Sequence, residues 1–209
     1  MGELMLPVPI LLIMDQPTLN TLLERVLMGL GYPAKLIICT DHLAEAEQLL
    51  QHHLPNLILI DLSIDGIATI SFIKQLKKIH PDANVMVSLA QHQTALLFEA
   101  IQAGAQGYIF YQHTGTEMVN NIKSILRGGA PIHHVLAQYI LSHQIESKPT
   151  MSTTQLNPPI HFSAIEYEIL NLVSTGLKLQ QIAEQTSTSL YKIEGTIKST
   201  YRKIAGLKS

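Results

Sequence analysis

Four side chains able to do chemistry stand at the ends of short apolar runs. Asp15 follows Ile10–Met14, Asp61 follows Leu57–Ile60, Ser88 lies in Val85–Leu89, and Tyr111 follows Gly107–Phe110. Runs of this length and composition read as buried strands, so the four groups converge at one edge of a sheet. Two carboxylates in one crevice repel each other, and a divalent cation relieves the repulsion. Mg²⁺ takes oxygen ligands from one or two carboxylates plus waters. A carboxylate beside Mg²⁺ can attack a phosphoryl group and carry it as an aspartyl phosphate. A hydroxyl such as Ser88 can then bond the new phosphate oxygens and draw its loop inward, a local charge event that biases a two-state element. The plainer alternative for Asp61 is a vestigial acid at a strand end.

The elements that must position these groups follow from periodicity. A fifth apolar run, Leu36–Cys39, completes the set of strands. Between the runs lie stretches with helical spacing, such as Leu19, Leu22, Leu23, Val26, Leu27 and Leu30, or Ile70, Ile73, Leu76 and Ile79. Continuous apolar strands separated by helices imply a five-stranded, doubly wound parallel α/β sheet with its site beyond the carboxyl ends of the strands. Pro131 opens a further helix over 132–144, with Ile132, Val135, Leu136, Tyr139 and Ile140 as its stripe. The segment 146–160, ESKPTMSTTQLNPPI, has nine Ser, Thr, Asn or Pro among its fifteen residues and reads as a flexible linker. Three parts result: 1–130, a linker helix and flexible linker over 131–160, and a small all-α domain over 161–209.

In that last part Ser163 and Glu166 form a capping box for a first helix carrying Ile165, Ile169, Leu170 and Val173 and stopping at Gly176. A short helix with Ile182 and Ala183 follows. A third carries Leu190, Ile193, Ile197, Tyr201 and Ile204 on one face, which leaves Lys192, Gly195, Lys198, Ser199 and Arg202 on or beside the other. Charge supports a division of labour. Residues 1–130 hold 7 Lys/Arg against 11 Asp/Glu, and residues 161–209 hold 6 against 4, an acidic front and a mildly basic tail.

Other function classes find little support. No apolar run is long enough to span a membrane, and the N-terminus lacks a signal-peptide layout. Cys39, the single cysteine, ends a strand expected to be buried and reads as inert core. These features suggest a cytoplasmic protein. The ten histidines lack metal-ligand spacing, and there is no phosphate-loop motif, so neither a structural metal nor a metabolic enzyme is expected. His113, just past the pocket edge, reads as a surface histidine.

The stretches LLIMDQP, LILIDLSIDG, VMVSLA and GAQGYIFY resemble, in order and separation, the receiver domain of bacterial response regulators, a flavodoxin-like fold. The resemblance implies that Asp61 is the phosphoacceptor, that Asp15 and the Ser63 carbonyl complete an Mg²⁺ site, and that Ser88 and Tyr108 form the switch. Three positions depart from the family pattern. Met14 stands where a second acid is usual, and Tyr111 where a lysine is usual; Asp65 replaces a frequent proline. The segment 162–204 resembles a LuxR-type helix-turn-helix through STGL, QQIAEQ and IEGTIKSTYRKI. It implies contact with double-stranded DNA by Lys192, Glu194, Gly195, Lys198, Ser199 and Arg202, although Glu194 replaces a usual lysine and Thr196 a common histidine. The family continues into a fourth helix that helps dimerise, whereas this sequence stops at Ser209. A homodimer would then form elsewhere, through Leu96, Leu97, Ile122 and Ile125 or the 132–144 helix. The expected function is a DNA-binding transcriptional regulator with a degenerate receiver, controlled by dimerisation or protein contact. The alternatives are a regulator phosphorylated at Asp61 by a sensor histidine kinase, binding Mg²⁺ weakly, and a protein-binding adaptor whose DNA binding has decayed.

Overall fold

The structure, a computed structural model, describes residues 9–146 and 160–206. Nearly all of the segment read as a flexible linker, and Lys208, lie outside the described residues. The chain divides into two units, Met1–Arg127 and Gly128–Ser209.

The first unit alternates β1 (Ile10–Ile13), α1 (Pro17–Gly29), β2 (Ile37–Thr40), α2 (Leu43–His52), β3 (Leu57–Asp61), α3 (Gly66–Ile79), β4 (Asn84–Leu89), α4 (Thr94–Ala103), β5 (Gly107–Phe110) and α5 (Gly115–Leu126). The strands form one parallel sheet in the order β2-β1-β3-β4-β5. Strand order reverses between β1 and β3, which opens a crevice at their carboxyl ends. Strands buried on both faces need apolar side chains at every position, and β1, β3 and β5 are buried throughout. Leu12, Leu59, Met86 and Ile109 of the sheet pack with Leu23 and Leu27 of α1 and with Met118, Ile122 and Ile125 of α5. Gly107 lets α5 close on β5, since a Cβ there would stand 2.7 Å from Ile125 Cδ1. Local chemistry fixes the helix starts. Pro17 opens α1, Asp65 accepts from Ala68 N at 3.0 Å ahead of α3, and Thr114 and Glu117 form a capping box on α5.

The second unit holds α6 (His134–Glu146), α7 (Ala164–Ser174), α8 (Leu179–Gln185) and α9 (Leu190–Ile204). The helix assigned to the linker on sequence grounds packs against α7 in this unit, burying Leu136, Ala137 and Ile140. The unit therefore begins at Gly128, ahead of the boundary placed in the Ser/Thr/Pro-rich stretch. Two hydrogen bonds tie it together: Tyr201 donates from its hydroxyl to Pro131 O at 2.6 Å, and Gln138 Nε2 donates to Ser174 O at 2.9 Å.

Its strongest polar tie is Glu166, only 3% exposed. The carboxylate caps α7 through Ser163 N and Oγ, accepts from Ser199 Oγ at 2.8 Å, and pairs with Lys203 Nζ at 2.6 Å. Burial pushes its pKa up, but the Lys203 ammonium, the Ser163 N–H and the two serine hydroxyls outweigh burial and hold it below the ordinary value.

Several sequence expectations need correcting. Cys39 is exposed, in a strand that is only partly covered; its thiol donates to Glu24 Oε1 at 3.2 Å. Burial and the Glu24 bond raise its pKa to about 11, so it stays an unreactive thiol. Leu97, Ile122 and Ile125 are core residues and cannot form the proposed dimer surface; Leu96 alone of that set is partly exposed. Ile79 and Ile165, expected inward, lie at helix ends and are exposed.

Replacing Glu166 with Gln is expected to destabilise the second unit by about 1.5–3 kcal/mol, the worth of hydrogen bonds to a charged group. A lowered carboxylate pKa contributes stability that is present above the unfolded value, near pH 4.3, and is lost as pH falls through the folded value. Hydrogen exchange of α7 and α9 amides checks both points: exchange quickens in acid for the native protein, and at neutral pH already in Glu166→Gln.

Candidate functional site

β3 delivers Asp61 to the crevice with no exposed surface, directly opposite Ser88 in the β3–β4 register. A desolvated carboxylate needs donors. Asp61 Oδ1 has two: the Ser63 backbone N–H at 2.9 Å and the Tyr111 hydroxyl at 2.5 Å. The second crosses β4, which lies between β3 and β5, so Tyr111 bridges two strand spacings of about 4.8 Å each. Burial, followed by the Asp61 hydrogen bond, raises the Tyr111 pKa, so the phenol remains a neutral donor. Asp61 Oδ2, equally buried, has no hydrogen-bond partner.

The other pocket positions separate. Ser88, fully buried, directs its hydroxyl to Met14 Sδ at 3.6 Å, a weak acceptor. Met14 is itself buried, and Asp15 is exposed. Tyr108 is 1% exposed and packs its ring 5.0 Å from that of Phe110. His113 holds the turn after β5: its Nδ1 accepts from Phe110 N at 3.1 Å, and burial lowers its pKa.

These residues fit a divalent cation poorly. Asp61 Oδ2 is an available oxygen, and Asp15 and the Ser63 carbonyl could add two more. The Met14 thioether is a soft donor that a hard ion does not use. Tyr111 already occupies Asp61 Oδ1. Among the described residues no three His, Cys, Asp or Glu side chains gather as a metal site.

The second candidate surface is α9. Ser189 caps it by accepting from Lys192 N at 3.3 Å. Ile193, Ile197, Thr200, Tyr201 and Ile204 face inward. Lys192, Gly195 and Arg202 are exposed, and Glu194 and Lys198 are half-buried. An added Cβ at Gly195 would meet nothing within 4 Å, whereas one at Gly128 would lie 3.2 Å from Lys198 Nζ, which places that ammonium over the start of the unit. Ser199, expected on the outer side, instead gives its hydroxyl to Glu166. Tyr191, which the sequence reading passed over, is 84% exposed in the first turn of the helix; its position just after a cap was the available signal.

Residues 10–123 match the model of the response regulator receiver domain. Over 150 residues the chain is 27% identical to the transcriptional regulatory protein YxjL of Bacillus subtilis, covering 72% of this chain and 66% of that one. The chain spans about six tenths to two thirds of the length of the curated relatives it first matches. Among solved structures, the RcsB response regulator of Salmonella typhimurium superposes with a TM-score of 0.57 at 17% identity, covering 98% of this chain and 95% of that one. An RcsB–DNA complex gives 0.54 at 16% identity, covering 98% and 94%. At such identities these likenesses speak for the fold.

Tyr111→Phe is expected to quicken amide exchange in β3 and β5, with a local loss of about 1.5–3 kcal/mol. A raised phenol pKa gives stability that is complete below the unfolded value near pH 10 and is lost as pH rises through the folded value. Native β3 and β5 should therefore loosen above pH 10 beyond the intrinsic rise in exchange rate, and Tyr111→Phe should lack that added dependence.

Proposed function

Because the chain belongs to the response regulator receiver family, we propose that it is a DNA-binding transcriptional regulator whose receiver is controlled by protein contact or dimerisation rather than by phosphorylation of Asp61. The observation that carries the second half is the Tyr111–Asp61 hydrogen bond. The group that would receive a phosphoryl is already held by a neutral donor. Met14 supplies no second carboxylate beside it, and no cation faces the acid from β5.

For DNA, α9 is the working element. Its exposed side carries Lys192 and Arg202, with half-buried Lys198 beside them, while its inner side is committed to the bundle. Early residues of such a helix reach base edges, and its cations find phosphates. Gly195, with open space around it, lets the helix backbone come close to the duplex. Glu194 disfavours phosphate but can accept from cytosine N4. The regulatory names of the relatives support this reading, and so does the fold shared with a protein solved on DNA.

A second reading rests on Asp61 Oδ2, buried and without a partner, which is the atom a phosphoryl group would need. On that reading Asp61 is phosphorylated from a histidine kinase, with Mg²⁺ held weakly by Asp61, Asp15 and the Ser63 carbonyl.

Two measurements decide. Full-length protein titrated with short duplex DNA across a salt series should show affinity falling steeply with salt, with a log–log slope of about −0.9 per phosphate contacted. Lys198→Glu should weaken binding to all sequences alike; no binding at low salt would overturn the DNA reading. Incubation with an acyl phosphate and Mg²⁺ should leave the intact mass unchanged. A phosphoryl mass gain that Asp61→Asn abolishes would establish the second reading instead.

A further inference from the structure

We infer that Tyr191 is the residue through which α9 tells one DNA sequence from another, its ring set against the 5-methyl group of a thymine in the major groove. The inference rests on the reading of α9 as a groove-binding helix and adds to it the group that confers selectivity.

Most of the other α9 side chains are already committed within the unit. Ser199 spends its hydroxyl on Glu166, and Lys203 spends its ammonium there too. Thr200 and Tyr201 are buried, with the Tyr201 hydroxyl on Pro131 O. The Lys198 ammonium lies over Gly128. Gly195 has no side chain. The Thr196 hydroxyl goes to Lys192 O, which leaves Tyr191, Lys192, Glu194 and Arg202 to weigh as groups that touch a base.

Position separates these four. Residues one and three turns apart on a helix share a face, so Tyr191, Gly195 and Arg202 lie on one outward stripe. Arg202 is near the carboxyl end, in the last turn of the helix, where cations meet the phosphate backbone. Tyr191 is the second residue, in the turn that enters the groove first. The bare backbone at Gly195, one turn on, lets that end sink deeper than a side chain would allow.

Chemistry then selects the target. A single exposed apolar side chain is ordinary on a protein surface, and Tyr191 would mean little on a loop. At 84% exposure in the first turn of a capped helix, the ring is an uncharged face among Lys192, Lys198 and Arg202. A neutral apolar face has no electrostatic use for phosphate. In the major groove the apolar feature that marks sequence is the thymine methyl group. The phenol hydroxyl at the ring's far end can hydrogen-bond a neighbouring base edge.

The test uses full-length protein and duplexes it retains from a random-sequence pool. Affinity is measured for a retained duplex, for the same duplex with each thymine replaced in turn by uracil, and for a scrambled duplex. The native protein should lose affinity at one uracil position. Tyr191→Ala should lose about tenfold on the retained duplex, be blind to that uracil, and bind the scrambled duplex with native affinity and native salt slope. Tyr191→Phe should keep the thymine preference. Equal loss by Tyr191→Ala on retained and scrambled duplexes, or an undiminished uracil effect in that variant, overturns the inference while leaving DNA binding intact. Failure of the native protein to bind any duplex at low salt overturns the DNA reading itself, and this inference with it.

Discussion

A carboxylate with no exposed surface is the constraint around which the receiver crevice is arranged. Asp61 reaches that state because β3 is buried along its whole length, and the last residue of the strand cannot escape the environment of the first four. Charge in such a place persists only if donors replace the lost water. One donor is local, the Ser63 N–H two residues on. The other is the Tyr111 hydroxyl, which comes from beyond β5 and must cross β4. The position of the loop after β5 is thus tied to the charge on β3. The neutrality of Tyr111, reinforced by its raised pKa, makes the tie one of hydrogen bonding without an opposing charge. A cation in that place would attract a phosphoryl group, whereas a phenol contributes one proton and fills the space beside the acid with an aromatic ring. The same substitution that satisfies Asp61 therefore removes a reason for phosphate to come.

The second unit solves the same problem at Glu166, with a different outcome. This carboxylate is also buried, but it has a cation, Lys203, and it caps a helix. Its pKa falls below the ordinary range because those partners exceed the cost of burial. Fully partnered, the group acts as a fixed junction between the start of α7 and the last turns of α9. Asp61 is half-partnered, with Oδ2 left over. One buried acid reads as architecture and the other as a site, and the number of satisfied oxygens is what separates them.

Much of this was legible in the sequence where the physics is local or periodic. Five apolar runs separated by helical spacing give a parallel α/β sheet almost without alternative, and each strand lies within a residue or two of its run. The Ser163–Glu166 capping box is a four-residue pattern, and it forms. The misreadings share one cause, that apolar pattern does not reveal which neighbour covers a residue. Cys39 looks like core because its strand is apolar, yet the helices leave β2 only partly covered. Ile122 and Ile125 look like a surface patch because α5 is amphipathic, yet their face is the one turned to the sheet. The helix read over 132–144 falls ahead of the Ser/Thr/Pro-rich stretch, while its partner α7 lies beyond that stretch in sequence. The Tyr111–Asp61 bond joins residues 50 apart. Sequence supplied both end points and gave no means of pairing them.

The same limit explains how α9 is read. From the sequence alone Lys198, Ser199 and Arg202 form a run of polar groups of equal standing. Packing sorts them: Ser199 belongs to Glu166, Lys198 leans over Gly128, and Arg202 is left outward. Each commitment that stabilises the four-helix unit removes a group from the external face, so stability and recognition draw on the same helix. A residue can serve recognition without cost to the fold only where the helix has no internal neighbour to satisfy. The first turn of α9 is such a place, capped by Ser189, and Tyr191 stands there with most of its surface in water. Its exposure among the described residues, together with its place in a capped first turn beside Lys192, is the physical ground for assigning its partner outside the chain.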